Sequence, residues 1–70
     1  MNLEPFRKLL DHLTEQVEAA QASADNEARL GDRANAAYWR GRVFATNEAR
    51  AHLAIAIEQA ARSINEVVQP

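Results

Sequence analysis

The sequence predicts an all-α chain. It reads as a two-helix antiparallel hairpin, over about 4–29 and 33–67, that pairs with a second copy as a homodimeric four-helix bundle. Three observations predict this. Alanine is abundant while glycine and proline occur only twice each, so helix propensity runs almost unbroken. Apolar residues recur at heptad spacing on both sides of one interruption, Leu30-Gly31-Asp32. Beyond that interruption the helix is apolar on two opposite sides, one more than a hairpin uses.

The first helix opens at Pro5, which suits a first turn because its missing N–H has no partner to lose there. Asn2 and Glu4 are both candidate caps. Apolar residues follow at Phe6, Leu10, Leu13, Val17, Ala20 and Ala24, in steps of four and three, and Leu9 widens the stripe. Gly31 suits the left-handed residue that ends a helix, and Asp32 suits the N-cap of the next. Together they predict a tight hairpin turn, leaving Gln69-Pro70 as a frayed tail.

The second helix carries one stripe of Ala34, Ala37, Gly41, Phe44, Ala51 and Ile55, and another of Trp39, Leu53, Ile57, Ala60, Ile64 and Val67. At ~100° per residue, Phe44 and Leu53 point roughly opposite ways. Folding at Gly31 brings together residues whose numbers sum to about 61–62. The first stripe then meets helix 1: Ala37 faces Ala24, Gly41 faces Ala20, Phe44 faces Val17 and Ile55 faces Phe6, with only Glu48 breaking the seam. The second stripe, with Val68, is left without an intrachain home. Exposing six such large side chains would forfeit on the order of 10 kcal/mol, comparable to the whole stability of a small domain. The expected dimer contact is therefore Leu53, Ile57, Ala60, Ile64 and Val67.

Seventy residues make one domain, residues 1–70, with a marginal core. Without cysteine there is no disulfide and no thiolate metal site, which leaves association as the usual route to stability. The net charge of −2 is unevenly spread. Residues 1–28 hold two basic and six acidic side chains, whereas residues 29–42 hold Arg29, Arg33, Arg40 and Arg42 against Asp32 alone. No apolar run approaches the ~20 residues of a membrane span. The amino end has Glu4 and Pro5 where a signal peptide needs a basic segment and an apolar core. The expected location is the cytoplasm.

No P-loop, dinucleotide glycine pattern or HExxH is present. His12 and His52 fall at similar heights, with Asp11, Glu15 and Glu48 nearby, yet a metal needs three or four converging ligands with a supporting shell. They read as solvated or seam-edge residues. Glu15 and Glu18 read as part of a solvated acidic face. Two helices also lack the walls of a substrate pocket. The expectation is no enzyme activity, no cofactor, no metal and no small-molecule substrate.

The most distinctive constellation is Ala36-Ala37-Tyr38-Trp39-Arg40-Gly41-Arg42, with Arg29, Arg33, Phe44 and Arg50 nearby. Trp, Tyr and Arg dominate interface energetics, so one reading is a contact patch for an acidic or mixed protein surface. The other is that the aromatics cover the end of the hairpin while the arginines neutralise neighbouring acids. Arginines beside aromatics also suit phosphate contacts and base stacking, but the acidic first arm lies alongside and disfavours nucleic acid.

In its short length, alanine-rich helices, Gly31-Asp32 turn and Tyr38–Arg42 run, the chain resembles small helical inhibitor proteins of temperate bacteriophages, those of the quorum-sensing anti-activator kind. The resemblance implies a small helical dimer in the host bacterial cell. It would capture a LuxR-type transcription regulator of the LasR kind, blocking its DNA binding, and would inhibit the ATPase that assembles type IV pili. On this implication Tyr38, Trp39, Arg40, Arg42 and Arg50 contribute to target contact. Three alternatives stand beside it: a nucleic-acid-binding dimer using its arginine-rich ends, a phage structural or assembly factor, and an anti-CRISPR-type inhibitor.

Overall fold

The computed structural model describes the backbone of residues 2–68 and the side chains of residues 2–65. It contains two helices, α1 (Glu4–Arg29) and α2 (Arg33–Val68), packed against each other as a hairpin. Val67, assigned to the dimer contact, and the tail Gln69-Pro70 lie outside the described side chains.

Each helix end has an identifiable cause. At the start of α1 the Asn2 side-chain oxygen accepts the Glu4 N–H at 3.0 Å, so Asn2 rather than Glu4 supplies the side-chain partner. The Leu3 carbonyl accepts the N–H groups of Phe6 and Arg7. At the turn, Gly31 takes φ +80°. Its N–H donates to the Ala28 carbonyl at 3.1 Å, and Asp32 N–H donates to the Glu27 carbonyl at 2.9 Å. Those two bonds are the Schellman pattern, which satisfies carbonyls the helix end would otherwise orphan. Asp32 then caps α2: its carboxylate accepts the Asn35 N–H at 3.0 Å and the Asn35 side-chain amide at 2.9 Å.

The stripe expected on α1 faces α2: Leu10, Leu13 and Val17 are half-buried, Ala20 and Ala24 are buried, and Phe6 lies at its partly exposed edge. The axial register agrees as well. Leu3 and Phe6 share an apolar depression with Leu53, Ile57 and Ala60, while Ala20 sits with Trp39 and Thr46.

The face of α2 is where the expectation fails. The seam is formed by Ala36, Trp39, Val43, Thr46, Arg50, Leu53, Ile57, Ala60 and Ile64, all buried or half-buried, in unbroken alternating steps of three and four. Ala34, Ala37, Gly41, Phe44, Ala51 and Ile55 are exposed instead. Helix 2 is therefore turned by roughly half a revolution from the expected packing. Apolar volume explains the outcome. The chosen seam lets Trp39, Val43, Leu53, Ile57 and Ile64 bury area, against Phe44 and Ile55 on the rejected side, and burial free energy follows apolar area. Arg50 is tolerated in this seam because its aliphatic stem can lie along it while its guanidinium reaches out to Asn47.

The resulting core is thin. Among the described residues only Ala20, Ala24, Ala36 and Ile57 are buried, so three alanines and one isoleucine make up the buried interior. The molecule is a rod of 60 × 15 × 11 Å with a radius of gyration of 16.7 Å, against ~11 Å for a compact domain of this length. No helix among the described residues is long and apolar enough to cross a membrane.

Candidate protein-interaction site

The arginine- and aromatic-rich run lies in the first turns of α2, beside the hairpin turn. Successive helical residues diverge by ~100°, so the run does not form one patch. Trp39 points into the seam, half-buried, and Tyr38 meets it edge-on, with ring centroids 5.3 Å apart and planes at 72°. Arg42 follows Trp39 onto one flank of the hairpin, where the two line a 180 Å³ depression with Gln16, Ser23 and Thr46. Arg40 emerges on another flank with Arg33, where they rim a 470 Å³ open depression floored by Ala28, Ala36 and Ala37.

The two readings of this run are thus divided between its residues. Trp39 does cover the interhelical seam. The arginines do not neutralise nearby acids: among the described residues the one ion pair is Arg62 to Glu58, at 2.6 Å, far along α2. Arg29, Arg33, Arg40 and Arg42 are all exposed. Arg33 is also the first residue of α2, and the first turn of that helix holds no acid. A cation there opposes the helix dipole, so local helix stability does not account for it. Arg29, in the last turn of α1, is favourably placed by the same rule.

The remaining candidates are scattered. Arg50 lies in the middle of the seam, some 8–10 residues and thus roughly 12–15 Å along the helix from Arg40 and Arg42. Leu53, Ile57 and Ala60 line the 240 Å³ apolar depression against Leu3 and Phe6 of the same chain, and Ile64 is half-buried. His12 pairs through its Nε2 with the Gln16 side-chain amide at 3.1 Å. Among the described residues no three His, Cys, Asp or Glu side chains are grouped to hold a metal.

No protein family, curated protein or solved structure matches this chain. The site must be read from its own geometry. The feature that residue types alone missed is the alanine floor beneath Arg33 and Arg40. Its signal was present, since residues 33, 36, 37 and 40 recur at the three-four-seven spacing that shares one helix face.

Proposed function

We propose that this chain is a small non-enzymatic protein-binding inhibitor that acts as a homodimer and captures its target through the turn end of the hairpin. One observation carries the reading. Arg29, Arg33, Arg40 and Arg42 are exposed near this end on more than one flank, with no described carboxylate at ion-pair distance, and Arg33 and Arg40 together rim an alanine-floored depression. Such a surface is matched by an acidic side chain seated on apolar ground, because Arg makes forked, charge-assisted bonds to carboxylates. The thin alanine core supports the homodimer, since so small an interior leaves most of the apolar surface for association.

The resemblance to phage anti-activators gives the target a concrete form: a host LuxR-type regulator of the LasR kind, the type IV pilus assembly ATPase, or both. Capture would be stoichiometric, occluding the DNA-binding or subunit-contact face of the bound protein, in the cytoplasm of the host cell. Titration calorimetry of the purified chain against each candidate tests this. Micromolar or tighter binding that Arg33→Ala with Arg40→Ala weakens is the expected result. No heat with either protein would remove those targets. A gel shift with duplex DNA at two salt concentrations separates the nucleic-acid reading, because phosphate binding falls steeply with salt.

A further inference from the structure

The hairpin leaves an apolar stripe on the outer side of α2 that it does not use. Phe44 is 72% exposed and Ile55 is 53% exposed, on the same face of the helix. Between and beside them lie Gly41, Glu48 and Ala51, also exposed. A Cβ placed at Gly41 would meet nothing within 4 Å, so packing inside the hairpin does not require that glycine.

We infer that this stripe is the contact with a second copy of the chain, the two α2 helices running antiparallel about a two-fold axis at Glu48. The inference rests on the self-association half of the proposed function, and specifies its surface and direction. It moves the contact from Leu53 and Ile57, which the hairpin consumes, to Phe44 and Ile55.

Area and shape support the contact, and the flanking charges favour its antiparallel direction over a parallel one, although Glu48 meets its own copy on the axis in either. The chain exposes 5378 Å², whereas a compact monomer of 7.8 kDa exposes about 4,400 Å². That excess of about 1,000 Å² belongs to the whole rod, and it is large enough to supply the ~800 Å² that each partner covers in a standard stable interface. In an antiparallel pair centred on Glu48, facing residues have numbers summing to about 95–96. Phe44 then meets Ala51 of the second copy, and Ile55 meets Gly41 of the second copy. Large side chains fall on small ones throughout, and both halves of the contact are satisfied by one operation. A parallel pair would instead set Phe44 on Phe44 and Ile55 on Ile55. It would also align the two segments 29–42, each carrying four arginines and one aspartate. The antiparallel pair puts that segment beside 53–66, which holds Glu58 and Glu66 against Arg62, and it opposes the helix dipoles. With Glu48 on the axis, each turn end lies ~22 Å away, so the dimer would offer its two arginine clusters at opposite ends, ~45 Å apart.

Because the chain has no cysteine of its own, introduced thiols report cleanly. A Gly41→Cys chain is mixed with an Ile55→Cys chain under mild oxidation. The mixed disulfide is expected to exceed either self-disulfide by ~10-fold, since bridging needs Cα atoms within ~7 Å. Predominant self-linking of the Ile55→Cys chain would overturn the direction. Phe44→Glu and, separately, Ala51→Glu should raise the dimer dissociation constant at least ~100-fold with helicity by circular dichroism unchanged. Undiminished association of both variants would overturn the surface. Target capture, measured on the Ala51→Glu chain, whose changed residue lies 11 residues and roughly 16 Å along α2 from Arg40, reports on the turn end and not on this contact, so failure of one reading is distinguishable from failure of the other.

Discussion

Ile57 and Phe44 occupy the same helix and point to nearly opposite sides of it, the first 7% exposed against α1 and the second 72% exposed to solvent. That contrast organises the molecule. One apolar face of α2 closes the hairpin, and the other is spare. Neither face alone would distinguish a self-sufficient helix pair from a half-built assembly.

Ile57→Ala removes the only large side chain among the described buried residues. It is expected to destabilise the fold by about 2–4 kcal/mol, enough to leave a chain of this size largely unfolded. Thermal or urea melts followed at 222 nm check it, and a loss below the Ile→Val range of ~0.5–1.5 kcal/mol would place the core elsewhere.

The turn depends on two residues for different reasons. Gly31→Ala forces a Cβ into φ +80° and should cost ~1 kcal/mol or more. Asp32→Ala removes the acceptor of the Asn35 N–H and should cost ~1 kcal/mol. Equilibrium unfolding of the two single variants and the double variant tests both values, and a stability-neutral Gly31→Ala would deny the left-handed geometry.

Gly41→Ala separates hairpin from dimer. The new methyl group meets nothing within 4 Å in the hairpin, and replacing a mid-helix glycine gains ~1 kcal/mol. Dilute samples should therefore melt higher. Gly41→Leu should keep that helix gain and weaken association, because it fills the space assigned to Ile55 of the second copy. Melts recorded at low and high concentration distinguish the two effects.

Glu48→Leu replaces two like charges that would meet on the proposed axis. Association should tighten by ~10-fold or more, measured by dilution of a fluorescently labelled chain. Weakened association would move the axis away from Glu48.

At the turn end, Arg40→Ala and Arg42→Ala act on different flanks. If the target seats over the alanine floor, Arg33→Ala and Arg40→Ala should each weaken binding by roughly 1–3 kcal/mol, the worth of a hydrogen bond to a charged group. Arg42→Ala should be close to neutral. Trp39→Ala is no clean probe of contact, since Trp39 is half-buried in the seam and its loss would also loosen the helix pair.

Much of this fold is written locally in the sequence. Both helices, the role of Gly31, the cap at Asp32 and the stripe from Phe6 to Ala24 follow from short-range rules of spacing and capping. The face of α2 does not, because two heptads overlap on it, and spacing alone cannot choose between them. The stripe through Phe44 is interrupted by Glu48, and the one through Ile57 by Thr46 and Arg50. Only total apolar volume, summed across both helices, favours the second. The candidate site was half legible for the same kind of reason. Residues 38–42 are adjacent in sequence, yet the helix spreads Tyr38, Arg40 and Arg42 over separate flanks and draws Trp39 inward. The alanine floor depends on the face α2 presents, so it appears only once that rotation is fixed.

Sedimentation equilibrium of the unmodified chain, from about 1 to 100 µM, tests the central claim most directly, because association shifts with concentration by mass action. A reversible species of twice the 7.8 kDa chain mass is expected to dominate across the upper part of that range. A single monomeric species with full helicity at the highest concentration would contradict it.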